Sequence, residues 1–377
     1  MKNPIFCLLL AAVFLSVYTV QAQSFFRRTI GGLIHDTVQA AKPRFLVYPT
    51  LAFSPETSLE IAFNSIYVYY AKRDTLNRLS EINALSFFTV KNQYGFWLDH
   101  AMYSDDDKVF FLGKIRLQSF PLFYFGIGTG TPKEYQARVD ANQIWIKERV
   151  LRKIKKNLFL GIELDFQRLS RVDFVRNTQF ESIDLPPGYQ GSTNFGAGLG
   201  LVYDNRHNVL NVRKGFFSEL AFLHYNDYFS DYSFDNLVSD TRLFRPFGKR
   251  NVFAAQLLGQ FNSGNIPFNQ LALMGGESMM RGYYTGRIRD KNQIAAQTEL
   301  RFLPLPLGFS KRIGASVFGS VATVFPTIKE VFTNKLVVAG GAGLRFLLFP
   351  KKDIYTRIDY SFTREGGGLY IFVGEAF

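Results

Sequence analysis

From Arg44 onward, apolar and polar side chains alternate with a period of two, in segments of roughly ten residues. In residues 158–167 one face is Leu158, Leu160, Ile162, Leu164 and Phe166, and the other is Phe159, Gly161, Glu163, Asp165 and Gln167. Residues 294–302 repeat the pattern, with Ile294, Ala296, Thr298, Leu300 and Phe302 opposed to Gln297, Glu299 and Arg301. Residues 354–362 do so again, with Arg357, Asp359 and Ser361 on the polar side. A soluble sandwich hides its apolar faces in a core and shows the polar ones to water. Here charge shares a face with glycines such as Gly196, Gly198 and Gly200, while the opposite faces are apolar with aromatic ends. A transmembrane barrel has this arrangement, apolar side chains to lipid and polar ones to the lumen.

About sixteen segments can be counted, a number in the range of known barrels. The first is 44–53 and the last 368–377, with 140–153 and 157–168 among them. The longest connections are 119–139, 169–192 and 263–291, and they fall at alternate junctions. An even number of strands returns both chain ends to the same, periplasmic, side. The expectation is an all-β, antiparallel transmembrane β-barrel of about 16 strands over residues 44–377, with 263–291 folded inward.

Residues 1–22 read as an export signal. Lys2 precedes an apolar core from Phe6 to Val17, and Val20, Gln21 and Ala22 form a small-residue cleavage site. The only cysteine, Cys7, would leave with it, so neither disulfides nor thiol chemistry are expected. Residues 23–43 follow as a short periplasmic segment. Phe26, Ile30, Leu33, Ile34 and Val38 have helical spacing, interrupted by Gly31 and Gly32, so an amphipathic helix or plug and a loose tail both remain open.

Composition sharpens the class. Forty Phe and nineteen Tyr against two Trp, with 20% charged residues, do not suit a cytosolic enzyme. The net charge of +13 suits anionic lipid headgroups or acidic polymers; basic turns around an ordinary surface would give the same balance. No catalytic chemistry, cofactor, metal site or nucleic-acid partner is expected. The four histidines, at 35, 100, 207 and 224, make no His-Glu-x-x-His motif, and there is no Gly-x-Ser-x-Gly elbow. Lys153, Lys155 and Lys156, near an expected periplasmic turn, suit contact with an acidic partner or, in the preferred reading, interfacial anchoring.

Four stretches carry a resemblance. Residues 273–283 contain Gly275, Gly276, Met280, Arg281, Gly282 and Tyr283, and resemble a Gly-Gly…Arg-Gly-aromatic loop. Tyr203, Asp204, Arg206 and Asn208, followed by Lys214, Gly215 and Phe216, resemble a Tyr-Asp-x-Arg-x-Asn…Lys-Gly-Phe hairpin. Residues 297–302 resemble a twelfth strand, and residues 45–60, with Pro49, an opening hairpin. Together they resemble the superfamily of outer-membrane insertases and two-partner transporters, the bacterial surface antigen barrels typified by BamA, TamA and FhaC.

The resemblance implies a loop between strands 11 and 12 that enters the lumen and docks Arg281 on the thirteenth strand. That strand carries Phe318 and Ser320 where the family has an aspartate, so Glu299 or Asp359 is expected as the lumen partner of Arg281, and Glu299 is preferred. It also implies a labile seam between first and last strands, assigned to Val47, Pro49, Phe372 and Gly374, and an assembly signal at Phe377. Leu369, Ile371, Val373 and Phe377 are expected on one face, with Glu375 at headgroup level. The family's periplasmic POTRA domains have no counterpart in residues 23–43.

Implied partners are outer-membrane lipids including lipopolysaccharide, the barrel assembly machinery for its own insertion, and a periplasmic or membrane protein standing in for the POTRA domains. The implied location is the Gram-negative outer membrane. Two functions remain open: assembly or translocation of outer-membrane protein or lipid through the seam, and a passive or plugged pore, in which Arg281, Arg287 and Arg289 would favour anions.

Overall fold

A computed structural model describes residue 39 and residues 41–377, apart from 55–57, 91, 181–183 and 249. The expected signal peptide and nearly all of the 23–43 segment lie outside these residues, as does the tip of the opening hairpin. Sixteen long strands make the wall. They are β1 (Arg44–Ser54), β2 (Ser58–Tyr70), β3 (Leu79–Thr89), β4 (Tyr94–Tyr103), β5 (Val109–Ser119), β6 (Ala137–Lys155), β7 (Leu158–Arg176) and β8 (Ser192–Asp204). After them come β9 (Gly215–Tyr225), β10 (Phe234–Phe247), β11 (Asn251–Gly264), β12 (Asn292–Phe302), β13 (Ile313–Phe325), β14 (Val337–Phe349), β15 (Ile354–Thr363) and β16 (Gly367–Val373). Each pairs antiparallel with its sequence neighbours, and the short strand Leu122–Tyr124 prolongs the β5–β6 pairing.

The alternation is inside-out. On β7, Leu160, Ile162 and Leu164 are exposed, whereas Glu163 and Asp165 are buried. Leu257, Leu344, Ile358 and Phe362 likewise face outward, against inward Gln256, Arg345, Arg357, Asp359 and Ser361. An outer belt of this chemistry is stable only in lipid, where its apolar surface need not contact water.

Two strands are longer than the hydropathy pattern suggested. β6 and β7 run nineteen residues each, past the expected limits of 140–153 and 157–168. Their far ends carry Arg138, Asp140, Arg171 and Asp173, so the apolar signal stops while the backbone ladder continues. The connections shrink accordingly to 120–136 and 177–191.

The end where β1 begins, here the near end, has short turns; the far end has the long loops. The β11–β12 loop folds into the barrel as a small hairpin pairing Ala272–Met274 with Ile288–Asp290. Its neighbours pack on it: Gly128 N–H donates to the Arg289 carbonyl, Tyr284 Oη to the Pro121 carbonyl, and Phe268 N–H to the Pro187 carbonyl. These loops, the inner faces of β3–β7 and β9–β11, the 205–214 turn and the C-terminal tail line a lumen cavity of about 940 Å³.

Candidate functional site: a buried arginine network and the first–last strand seam

Backbone geometry brings Arg281 into the lumen. Gly275, Gly276, Met280 and Gly282 all have positive φ, coiling the loop tip back on itself. Met274, Met279, Met280 and Tyr283 then pack on Ala295, Ala322, Val324 and Ala339. The alanines, on β12, β13 and β14, leave the room the loop occupies.

Arg281 is 1% exposed and shares its two terminal nitrogens between two strands. Nη1 donates to Asp359 Oδ2 and Nη2 to Glu299 Oε2, both at 2.6 Å. The sequence offered Glu299 or Asp359 as partner; the geometry uses both. The guanidinium also lies on the ring of Phe318, 3.4 Å from its centre. Ser320, in the expected aspartate position, bonds instead to the Ala339 carbonyl at 3.4 Å.

Three further arginines complete the network. Arg345 donates to Asp359 Oδ1 at 2.6 Å, Glu299 Oε1 at 3.0 Å and Glu375 Oε2 at 2.9 Å. Arg301 donates to Glu299 Oε1 at 2.9 Å, and Arg357 to Asp359 Oδ2 at 2.8 Å. Four guanidiniums thus share three carboxylates, and each carboxylate meets at least two arginines. A buried ion pair offsets its desolvation only when most of its hydrogen bonds are made, and here Arg281 Nε, Arg301 Nη1 and Arg357 Nε are left without a hydrogen-bond partner among the described residues. Glycine makes the space: a Cβ at Gly343 would overlap the Asp359 carboxylate and approach Arg345 Nη1 to 2.6 Å. Arg301, Arg345 and Arg357 were not singled out from sequence. The signal was present in Glu299/Arg301 and Arg357/Asp359, opposite charges two residues apart on one strand face.

The network reaches the last strand. Gly282 N–H donates to Tyr370 Oη at 2.8 Å, and Arg357 lies over the ring of Phe372 at 5.0 Å. Leu369 and Ile371 face outward as expected, but the strand does not continue. At Gly374 φ is +89°, and the chain turns inward. Glu375 is therefore not at headgroup level; it is buried against Arg345. Phe377 does not share the outer face: it is buried against Val212, Phe244, Val252 and Ala254, with Arg301 donating to its carbonyl at 3.1 Å. Val373 leaves that face too, packing on the buried near-end cluster that contains Leu210.

Among the described residues no ladder joins β16 to β1. β16 has seven residues against eleven in β1. Among the described residues β1 pairs with β2, Pro49 standing opposite Phe63, and Val47 is exposed. In place of β1, the 205–214 turn receives the tail: Glu375 N–H donates to the Leu210 carbonyl at 2.9 Å. This turn crosses the near mouth. Leu79 N–H donates to the His207 carbonyl at 3.2 Å, and Asn208 and Asn211 donate to the Lys352 and Asp353 carbonyls at 2.8 and 3.0 Å.

The residues of the Tyr203-to-Phe216 motif shape this strap. Asp204 accepts from Arg206 and from Tyr103 Oη, and Asn205 Oδ1 accepts from Phe216 N–H at 2.6 Å. Leu210 sits among Leu46 of β1, Ile66, Val68 and Tyr70 of β2, and Phe349 and Ile354 beyond the seam. Lys352 lies over the Tyr70 ring at 4.8 Å; burial, with a smaller contribution from Arg44, pushes its ammonium down to about 8.

The arginines assigned an anion preference in the pore reading are all engaged. Arg287 pairs with Glu365 and stacks on Phe125, and Arg289 donates to the Phe123 and Gly286 carbonyls. No group of histidine, cysteine and carboxylate side chains among the described residues could hold a metal ion.

Residues 106–348 match the family model of the Omp85 superfamily domain. The crystal structure of BamA from Haemophilus ducreyi lacking POTRA domains 1–3 aligns with TM-score 0.52 at 14% identity, over 88% of this chain and 69% of that one. CdiB from Acinetobacter baumannii aligns with TM-score 0.56 at 10% identity, again over 88% of this chain, which spans 59% of CdiB. The comparison with curated proteins finds no match.

Proposed function

The chain belongs to the Omp85 superfamily, and from that premise we propose that it assembles or translocates outer-membrane protein or lipid through its first–last strand seam. What supports this reading above all is that no ladder joins β16 to β1 among the described residues, while the tail of β16 is held inside the barrel. A barrel removes its strand edges by closing. An edge left open at β1 exposes unpaired donors and acceptors along one line of the wall, where a client strand can pair or the bilayer can thin. The lumen network holds β16 through Glu375 and Tyr370, so Arg281 and its loop act on the seam from within. The work is done by backbone pairing and local membrane disturbance, without catalytic residues or a cofactor. The near end, with its strap, faces the periplasm, where a partner protein docks; the wall contacts outer-membrane lipid, lipopolysaccharide included.

The test is to lock the seam. Cysteine pairs scanned around Val47 and Phe372 are introduced, the native gene is deleted, and cells carrying oxidised or reduced barrels are compared for outer-membrane protein and lipid content and for solute uptake. Loss of assembly on oxidation, reversed by reductant, is the expected result. Unchanged assembly, with solute uptake that depends on residues 265–291, would instead make the protein a passive pore.

A further inference from the structure

The positive charge is not spread evenly over the barrel. The seven near-end turns carry fourteen Lys and Arg against five Asp, whereas the eight far-end connections carry nine against ten Asp and Glu. At the near end the cations are also placed outward. Arg73, Lys108, Lys156, Lys214, Arg250 and Lys311 are exposed on six successive turns, and the seventh carries exposed Lys351. None of Arg73, Lys156, Lys214 and Lys311 makes an ion pair among the described residues. Three large apolar side chains stand between them: Leu76, Ile154 and Phe309 are 87%, 50% and 81% exposed.

We propose that this rim binds anionic phospholipid headgroups of the leaflet facing the near end. The distribution identifies the occupant. Each turn joins neighbouring strands, so seven cationic turns form a ring around the whole mouth, not a patch on one side. A folded acidic partner touches one sector, whereas lipid surrounds the perimeter. The interleaved Leu76, Ile154 and Phe309 fit the same occupant: apolar tips enter the acyl boundary while ammonium and guanidinium groups sit at phosphate depth. The near-neutral far end lacks the ring. The inference rests on the membrane-barrel reading but is independent of whether the seam works on clients.

The experiment is thermal unfolding of the purified barrel in non-ionic detergent, with equal amounts of added phosphatidylglycerol, phosphatidylcholine or sodium phosphate. Phosphatidylglycerol should raise Tm by several degrees more than phosphatidylcholine, and salt should weaken the difference. Inorganic phosphate should give no shift. The near-rim variant K156Q/K214Q/K311Q should lose at least half of the difference, and the far-end variant K133Q/K329Q/K335Q should keep it. Equal shifts from the two lipids, an equal shift from free phosphate, or equal loss in both variants would overturn the proposal. Because the readout is lipid-dependent stability, a failed seam-lock experiment leaves it standing, and the reverse holds too.

Discussion

Two halves of one lumen handle charge in opposite ways. On β12–β15 the inward loop presses four arginines and three carboxylates into a dry network whose members are at most 4% exposed at the side chain. On β4 and β5 the wall faces the 940 Å³ cavity, and Lys114 and Arg116 rest on aromatic faces, while next to them Lys147 and Arg149 of β6 share the buried Glu163. Lys114 lies over Trp145 at 4.5 Å, and Arg116 over Trp97 at 5.0 Å while pairing with the half-exposed Asp99. The difference teaches where rigidity is placed. Carboxylates shared among several arginines tie the loop, β12, β14, β15 and the tail of β16 into one unit; a pair facing water can be resolvated when it breaks.

Neutralising one carboxylate in each half gives the largest expected contrast. Glu299→Gln leaves Arg281, Arg301 and Arg345 short of a shared partner in a dry site, and should cost about 3–5 kcal/mol. Asp99→Asn, at a half-exposed pair, should cost less than about 1 kcal/mol. Urea titration of both variants in micelles measures the gap, and equal costs would dissolve the distinction between the halves. A smaller effect is expected from Gly343→Ala, whose methyl group overlaps Asp359: about 1–3 kcal/mol. Gly319→Ala, with open space around its Cβ, should stay within about 0.5 kcal/mol.

Smaller again is Tyr370→Phe, which removes the acceptor for Gly282 N–H. A loss of about 0.5–1.5 kcal/mol is expected, with faster amide exchange at Gly282 and little change at Trp97. A further effect concerns pH. Lys352 is depressed to about 8 in the folded barrel, so the unfolded chain binds more protons above that value. Stability should therefore rise between pH 8 and the ordinary lysine range, and Lys352→Met should remove that rise from a Tm-against-pH series.

Much of the wall was legible because a lipid-facing barrel writes its two faces at period two. The segment pattern gave strand positions to within a few residues except at β6 and β7, whose outward face becomes charged while Ala137 and Val139 turn inward, so hydropathy no longer reports the ladder. The 263–291 loop was legible through the resemblance carried by Gly275, Gly276 and Arg281, although the partners of Arg281 lie far off in sequence. What escaped was long-range. Glu375 looked like a strand residue because nothing nearby in sequence distinguishes a straight Gly374 from one at φ +89°. Arg345 escaped because its partners Asp359 and Glu299, on two other strands, and Glu375, in the tail, are brought to it only by the fold. The 205–214 turn announced its own fold through Asp204, Arg206 and Asn205, but not that Leu210 would reach across the mouth to receive the tail.

The seam itself can be probed without a client or partner. Amide hydrogen exchange is measured strand by strand on the reconstituted barrel. The edge-facing amides of Arg44–Ser54 and Gly367–Val373 are expected to exchange orders of magnitude faster than those of β7 and β12, which are paired on both sides. Equal protection of β1, β16, β7 and β12 would mean that the first and last strands are zipped together, and would contradict an open seam.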